Sequence, residues 1–430
     1  MHIIIIGNGI TGVTAAITIR KLKPEVEITI ISSESDHFYA RTALMYLYMG
    51  HLRYQNLKVY EDWFWAEHQL NLLRAHVTTI DFDKKEVVLD NNSKITYNKL
   101  ILAIGSEPRQ LIIPGEQLAG VQGLYSLQDL ENLELYTKNM KQAVVIGGGL
   151  IGIELAEMLI TRCVPVTFLV RENHYWGNIL PAAEADLIAL HIREHGIDLR
   201  LNTTVKEITG DNAGRVQAVI TNTEDTIPAD WVGVAVGVKP NIQFLQGSAL
   251  KTNLGILVNA YLETNIPDVF AAGDCAELST DGAESTYLEQ LWYTGRMQGE
   301  TVAHTVCGNK TAYQRGVWFN SAKFFDLEYQ TYGRVAAKLA TDEETIVWQH
   351  AKQKKLIRIN YHSVTRQVLG FNLLGIRYRH DVCEQWIRQG KDISYVLQHL
   401  HEANFDSEFY PRYEKEIKKA FSQQLSAINS

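Results

Sequence analysis

Cysteine is scarce in this chain, and its placement removes whole classes of chemistry. Cys163, Cys275, Cys307 and Cys383 are the only four, and they form no CxxC pair and no metal-ligand spacing. A redox dithiol and a zinc site built on cysteine are therefore excluded, and buried structural thiols are expected. Long apolar runs are missing too: none approaches the ~18 residues that span a bilayer. Basic charge is in deficit, 41 Lys and Arg against 49 Asp and Glu for a net −8, which argues against nucleic acid or an anionic membrane as the main partner. The opening strand leaves no stretch for a signal peptide, so a cytoplasmic location is expected. What remains is an ordinary globular composition, 46% hydrophobic over 430 residues, enough to bury a large core in two or three domains.

The stretch MHIIIIGNGITG organises the amino-terminal part. Ile3 to Ile6 are an apolar run of buried-strand length, and Val13 to Ile17 continue with helical composition. Between them lies Gly7-Asn8-Gly9-Ile10-Thr11-Gly12. A strand, a glycine turn and a helix N-terminus make an anion site, because backbone N–H groups can approach a pyrophosphate and the helix dipole favours its charge. Glu27 to Ile31 supply the next strand, and Glu34 follows Gly12 by 22 residues. That is near the spacing at which an acid takes ribose hydroxyls, although a solvated loop acid would read the same way. His37 to Gly50 is an aromatic segment with one guanidinium, Arg41, which suits either a cofactor wall or ordinary core.

Val77 to Val88 reads as a hairpin around Asp83-Lys84-Lys85, and Tyr97 to Ile104 as a third strand of the sheet ending at Gly105. Pro108 and Pro114 mark a crossing between domains. A second strand–turn–helix unit then appears at Ala143 to Glu157, with Gly147, Gly149 and Gly152 some 140 residues after the first set. Two such units in one chain imply two nucleotide sites on two doubly wound domains, and the commonest chemistry needing both is hydride transfer between a nicotinamide and a flavin. The second unit departs from the usual pattern. Its next strand, Val166 to Val170, ends in valine where an acid would bond the ribose, and Arg171 and Glu172 follow. Arg171 could meet a 2′-phosphate, Glu172 could reach back to a ribose, or the site holds no nicotinamide; the nearness of Glu172 favours NADH. Trp231 to Val238 is a further strand, and the stretch from Thr264 leads through another to Gly273-Asp274, where a carboxylate can accept from sugar hydroxyls.

The two glycine units, YNKLILAIGSEPR at 97–109, VAVGVKPN at 234–241 and TNIPDVFAAGDCAE at 264–277 occur in an order that resembles the FAD- and NAD(P)-dependent pyridine nucleotide oxidoreductases. Glu34 and YARTALMYLYMG look most like the rubredoxin reductases and the flavin part of assimilatory nitrite reductases. The resemblance implies an α/β chain with two Rossmann-like three-layer nucleotide-binding domains and a C-terminal α+β interface domain. Residues 1–110 and 245–312 would bind FAD, 111–244 the nicotinamide nucleotide, and 313–430 would form the interface domain. By position, Gly7, Gly9 and Gly12 would hold the FAD pyrophosphate, Glu34 the adenosine ribose, Arg41 would lie by the flavin, and Asp274 would hold the ribityl chain. Val77, Gly105 and Gly273 join that cofactor-binding set. Gly147, Gly149 and Gly152 would cradle NADH or NADPH, Glu154 would sit where the two rings stack, and Arg171 would read the donor's ribose.

Departures from the family narrow the chemistry. No cysteine precedes Cys163, so the CxxxxC pair of the disulfide-reducing members and the single thiol of the oxidases and peroxidases near Arg41 are both missing. The flavin-facing lysine that some relatives carry near Tyr46 is absent as well. In the last ~115 residues, Lys323 to Leu327 and Val368 to Gly375 look like interface-domain strands, Phe405 to Pro411 resembles that domain's closing loop, and Tyr413 to Gln424 reads as a charged amphipathic helix. Trp292, Trp318, Trp348 and Trp386 read as core, with Trp292 where relatives approach the flavin, and Lys415, Lys418 and Lys419 as a solvated face. The expectation is a homodimer that passes hydride from NAD(P)H to FAD and electrons onward, with a small electron-carrier protein as a possible acceptor. The alternative is an FAD-bound scaffold or sensor with little turnover.

Overall fold

The computed structural model describes residues 1–279, 286–406, 408–409 and 411–428. The chain divides into two compact units. Unit 1 comprises Met1–Gln110, Gly123–Leu135 and Gly237–Arg315, and unit 2 comprises Leu111–Gln122, Tyr136–Val236 and Gly316–Ser430.

Unit 1 is built on a five-stranded sheet in the order Val269–Ala271, Lys99–Leu102, His2–Ile6, Glu27–Ser32, Leu70–Arg74. Every pairing is parallel, with Ile5 opposite Ile30 on one side and Ile101 on the other. The near-continuous Ile and Leu content of the inner strands follows from burial on both faces, and Ile3, Ile4 and Ile5 are wholly inaccessible. The helix Ile10–Leu22 packs against Trp292–Val306 at very short range. Glycine makes that possible, since a Cβ at Gly299 would lie 2.5 Å from the Thr11 carbonyl oxygen. The hairpin is present as Val77–Asp81 and Glu86–Leu89, with a third strand Lys94–Thr96 beside it.

Two strands end earlier than their apolar composition suggests. The expected Tyr97–Ile104 strand is Lys99–Leu102, and the expected Trp231–Val238 strand is Trp231–Val234. Shortly past each end stands a glycine with positive φ, Gly105 at +67° and Gly237 at +101°. Beyond these glycines, Ser106–Pro108 and Val238–Pro240 pair antiparallel in a separate two-stranded ribbon.

Unit 2 repeats the design. Its parallel sheet runs Asp198–Arg200, Val166–Leu169, Ala143–Ile146, Trp231–Val234, Val121–Gln122. A five-stranded antiparallel sheet follows in the order Phe319–Phe324, Leu327–Gly333, Val368–Leu374, Leu356–His362, Glu343–Gln349, with the helix Glu414–Ile428 against the last strand. Within this unit Glu184, fully buried on the helix Ala182–Glu194, receives Arg358 Nε at 2.6 Å and Nη2 at 2.9 Å.

The C-terminal stretch corrects several expectations. Lys323 to Leu327 is not one strand but a hairpin: Phe324 faces Leu327, and Phe325 turns the chain at φ +57°. Val368–Leu374 is a strand, central and buried. Of the expected closing loop, Ser407 and Tyr410 lie outside the described residues. The expectation of buried thiols holds for Cys275 and Cys383 only; Cys307 is partly buried, and Cys163 is exposed, in a left-handed turn just past the helix Leu150–Thr161. Trp348 and Trp386 are core, whereas Trp318 is partly buried and Trp292 is 36% exposed. No described helix is long and apolar enough to cross a membrane.

Candidate functional site

The two glycine turns share one construction. In unit 1, Gly7 leaves the central strand at φ +111°, where a Cβ would fall 2.0 Å from the Ala103 carbonyl oxygen. Gly12, one helical turn on, is pressed so close that a Cβ would sit 2.0 Å from the Gly7 carbonyl oxygen. In unit 2, Gly147 has φ +110° with the Ala235 oxygen 2.3 Å from its would-be Cβ, and Gly152 meets the Gly147 oxygen at 2.0 Å. These four positions are glycine because the fold leaves no room.

The middle glycines are different. Gly9 caps the first helix at φ −73°, ψ −176°, and Gly149 caps its counterpart at φ −82°, ψ −176°, extended backbone open to any residue. Nothing lies within 4 Å of a Cβ built on either. No side chain caps either helix, and neither first turn carries an acid. Both ends therefore present orphan N–H groups to open space beside a residue with no side chain, as a phosphate group requires.

Around the first turn, unit 1 gathers polar groups from distant stretches. Asn8 Nδ2 donates to the Ser35 carbonyl at 3.0 Å, fixing the loop after the second strand beside the turn. Glu34, in that loop, accepts from Arg41 Nη2 at 2.6 Å and Nη1 at 3.0 Å, and from the Tyr39 hydroxyl. Burial alone would raise the Glu34 pKa, but the Arg41 bonds and charge, helped by Tyr39, hold it below the usual carboxylate value. The carboxylate is thus ionised and, with the Leu127 N–H at 3.4 Å, carries four donors, about the number it can accept. The Arg41 guanidinium stacks over the Tyr125 ring at 4.3 Å and donates to the Tyr125 carbonyl.

Tyr125 continues the chain of contacts. Its hydroxyl accepts from Ser106 N at 3.2 Å, beside Gly105. Ser106 Oγ donates to Asp274 Oδ2 at 3.0 Å and accepts from Gln290 Nε2 at 2.8 Å. Burial raises the Asp274 pKa, against the opposing pull of Ser106 and Arg41. Gly273, at φ +81°, lies against Thr11 of the first helix. Gly7, Gly9, Gly12, Glu34, Arg41, Gly105, Gly273 and Asp274 thus belong to one neighbourhood, while Val77 packs into the core of unit 1, where only its backbone can serve a ligand. Tyr125, Ser106 and Gln290 carry no spacing signal; they meet Arg41 and Asp274 only through the tertiary fold.

Around the second turn, Val170 is fully buried and sits against Gly148, whose added Cβ would lie 2.9 Å from Val170 Cγ1. The place for a ribose-bonding acid is thus filled by packing. Arg171, three-quarters exposed, donates to Glu172 Oε1 at 2.9 Å, and Asn178 donates to the same oxygen at 3.0 Å.

Glu154, on the helix Leu150–Thr161, has its pKa pushed up to about 7 by burial, with the Glu157 charge adding to the shift. An acid whose folded pKa lies above its unfolded value is protonated when folded and ionised when unfolded, so stability falls as pH rises through that window and stays lower above it. Glu154→Gln is expected to raise stability at pH 8 by ~1–3 kcal/mol, the upper end reduced by the solvent Glu154 retains, and to change little below the unfolded value. Urea-unfolding midpoints of both proteins at about pH 4 and about pH 8 measure it.

Cys275 follows Asp274 yet takes no part in thiol chemistry. It is wholly buried, its Sγ donates to the Leu102 carbonyl at 3.3 Å, and burial pushes its pKa up to about 12.

The family model described as pyridine nucleotide-disulphide oxidoreductase matches residues 1–299. A rubredoxin-NAD(+) reductase from Acinetobacter baylyi is 32% identical over 322 residues, 72% of this chain and 80% of that protein. Rhodocoxin reductase from Rhodococcus erythropolis is 32% identical over 327 residues, 75% of this chain and 76% of that protein. Among solved structures, an NAD-dependent persulfide reductase from A. fulgidus superposes with TM-score 0.86 at 23% identity, covering 99% of this chain and 84% of that one. The paired glycine turns, the Glu34–Arg41–Asp274 neighbourhood and these likenesses agree: the chain belongs to the pyridine nucleotide-disulphide oxidoreductase family and is an FAD-dependent NAD(P)H oxidoreductase.

Proposed function

We propose that the electrons taken from NAD(P)H leave this protein for a small electron-carrier protein rather than for a disulfide. The observation that carries this reading is the thiol inventory: no cysteine lies ahead of Cys163, and the cysteine next to Asp274 is buried and hydrogen-bonded. The names of the rubredoxin-NAD(+) reductase and rhodocoxin reductase relatives support it. FAD, when bound, supplies the centre that accepts a hydride and releases electrons singly or in pairs. The chain's part is positioning. Gly7, Gly9 and Gly12 admit one pyrophosphate and Gly147, Gly149 and Gly152 the other. Glu34 serves the adenosine ribose, Arg41 lies by the flavin, and Asp274 and Ser106 receive the ribityl hydroxyls. No side chain is required as acid or base for the hydride step. Anaerobic reduction of a rubredoxin by NADH is expected at least about tenfold faster than reduction of a low-molecular-weight disulfide. Equal rates with both acceptors would overturn the reading.

The donor is read weakly. Buried Val170 offers no acid to repel a 2′-phosphate, and the exposed Arg171 cation is shared with Glu172. A well-placed Arg–phosphate pair contributes ~1.5–3 kcal/mol, but an exposed one beside a carboxylate much less. Discrimination between NADH and NADPH in kcat/KM is therefore expected below about a hundredfold, ~2.7 kcal/mol. Arg171→Ala should weaken NADPH use more than NADH use, and Glu172→Ala should move the preference the other way. A strong preference untouched by both changes would show that neither residue reads the ribose.

The three-domain assignment and a cytoplasmic homodimer belong to the same proposal. The Val368–Leu374 strand, central and buried, supplies no free edge for pairing. What supports a second copy is the exposure of Phe405 at 53% and Phe409 at 80% in the loop ahead of the last helix. Sedimentation at micromolar concentration is expected to show twice the 48.7 kDa chain mass, and a species at that mass alone would count against it.

A further inference from the structure

Outside its own glycine turn, unit 2 brings together three side chains that the oxidoreductase chemistry does not use. His191 lies near the end of the helix Ala182–Glu194, and His195, one turn later, is its C-cap. Asp326 comes from the two-residue turn between Phe319–Phe324 and Leu327–Gly333, where Phe325 at φ +57° swings the hairpin tip toward the helix end. One ligand atom from each residue lies within 4.8 Å of the other two. Asp326 Oδ1 is 2.8 Å from His191 Nε2 and 3.5 Å from His195 Nε2. Ligand atoms around a tetrahedral ion with bonds of ~2.0 Å stand roughly 3.3 Å apart, between those two values.

The protonation pattern points the same way. His195 Nδ1 lies 2.9 Å from the His191 carbonyl oxygen, which can only accept. A proton must therefore sit on Nδ1, and in the neutral imidazole that tautomer turns the Nε2 lone pair toward Asp326, as a metal ligand requires. This backbone anchor is the one that orients metal-bound imidazoles. His191 is 3% exposed, and neither of its ring nitrogens makes an aligned hydrogen bond, even though Nε2 is 2.8 Å from Asp326. The Phe325 ring stacks on His195 at 4.1 Å and 13°, holding that imidazole in plane. Lys354, whose charge acts on His191, is met by Glu194.

We propose that His191, His195 and Asp326 form a binding site for one divalent first-row transition ion, Zn2+ fitting best, with a fourth position open to water. Two imidazoles one helical turn apart and one carboxylate are a donor set suited to that ion. The Asp326 side chain is 80% exposed, so the ion can enter and leave from solvent. Bound there, it fastens the end of the helix Ala182–Glu194 to the first hairpin of the C-terminal sheet, the helix that also sends Glu184 to Arg358. The site is a structural clip within unit 2, independent of the flavin chemistry.

The test uses untagged, flavin-loaded protein, stripped with chelator and then titrated with Zn2+ against a competing indicator, with bound metal counted by mass spectrometry. One Zn2+ per chain is expected. Asp326→Asn and His195→Gln should each lower the affinity by about tenfold or more while leaving the flavin spectrum unchanged. Asp326 sits at an exposed hairpin tip, so its loss is compatible with folding. A second readout is the thermal midpoint, expected to rise with Zn2+ in the wild type and in neither variant. Cys163→Ser, which removes the exposed thiol, should leave binding intact. Failure to retain stoichiometric Zn2+, binding that survives both ligand changes, or binding abolished by Cys163→Ser would each overturn the proposal.

Discussion

Gly9→Trp is expected to give a folded, colourless protein. Its backbone at residue 9 is extended, at φ −73° and ψ −176°, and no atom lies within 4 Å of a Cβ there, so the fold itself accepts a large side chain. The indole would instead occupy the space in front of the helix N-terminus, where a pyrophosphate must come to meet the backbone N–H groups. FAD content after purification is expected to fall at least about tenfold, equivalent to ~1.4 kcal/mol or more of lost binding. Circular dichroism should match the wild type. The contrast with Gly12 makes the test specific. A Cβ at Gly12 would meet the Gly7 carbonyl oxygen at 2.0 Å, so Gly12→Val should be recovered misfolded, whatever its flavin content. A yellow Gly9→Trp protein with full occupancy would sink the assignment of this turn to FAD.

That contrast also shows which parts of the molecule a sequence can disclose. The glycine turns were legible because their demands are local: a strand end, a positive φ and a helix start within a dozen residues. The parallel sheets followed from runs such as Ile3 to Ile6, buried on both faces. The Arg41–Tyr125 stack, joining residues 84 apart, had no such signature, because what pairs them is the path of the chain between. The turn at Phe325 was hidden for another reason. Left-handed backbone is normally marked by Gly or Asn, and Lys323 to Leu327, with phenylalanine at the turn, reads as continuous strand. The same misreading concealed the approach of Asp326 to His191, since i,i+4 histidines become a cluster only when a hairpin tip reaches them.

Gly149→Trp should behave in the opposite way to its counterpart at residue 9, and the pair together assign one nucleotide to each turn. Gly149 lies in unit 2, caps its helix at φ −82° and ψ −176°, and has nothing within 4 Å of its would-be Cβ, so the substitution is again compatible with the fold. The protein is expected to purify yellow, because the Glu34–Arg41–Asp274 neighbourhood around the first turn is in the other unit and is untouched. NADH and NADPH should both reduce it at least about a hundredfold more slowly at sub-saturating donor, a loss of ~2.7 kcal/mol or more in kcat/KM. Dithionite should bleach it as fast as wild type, since that reductant needs no nucleotide site. Stopped-flow absorbance with each reductant separates the outcomes. Slow bleaching by dithionite as well would mean that the flavin itself was disturbed. Unchanged bleaching by either nicotinamide would show that the second glycine turn is an inherited feature of the fold and not the donor's cradle.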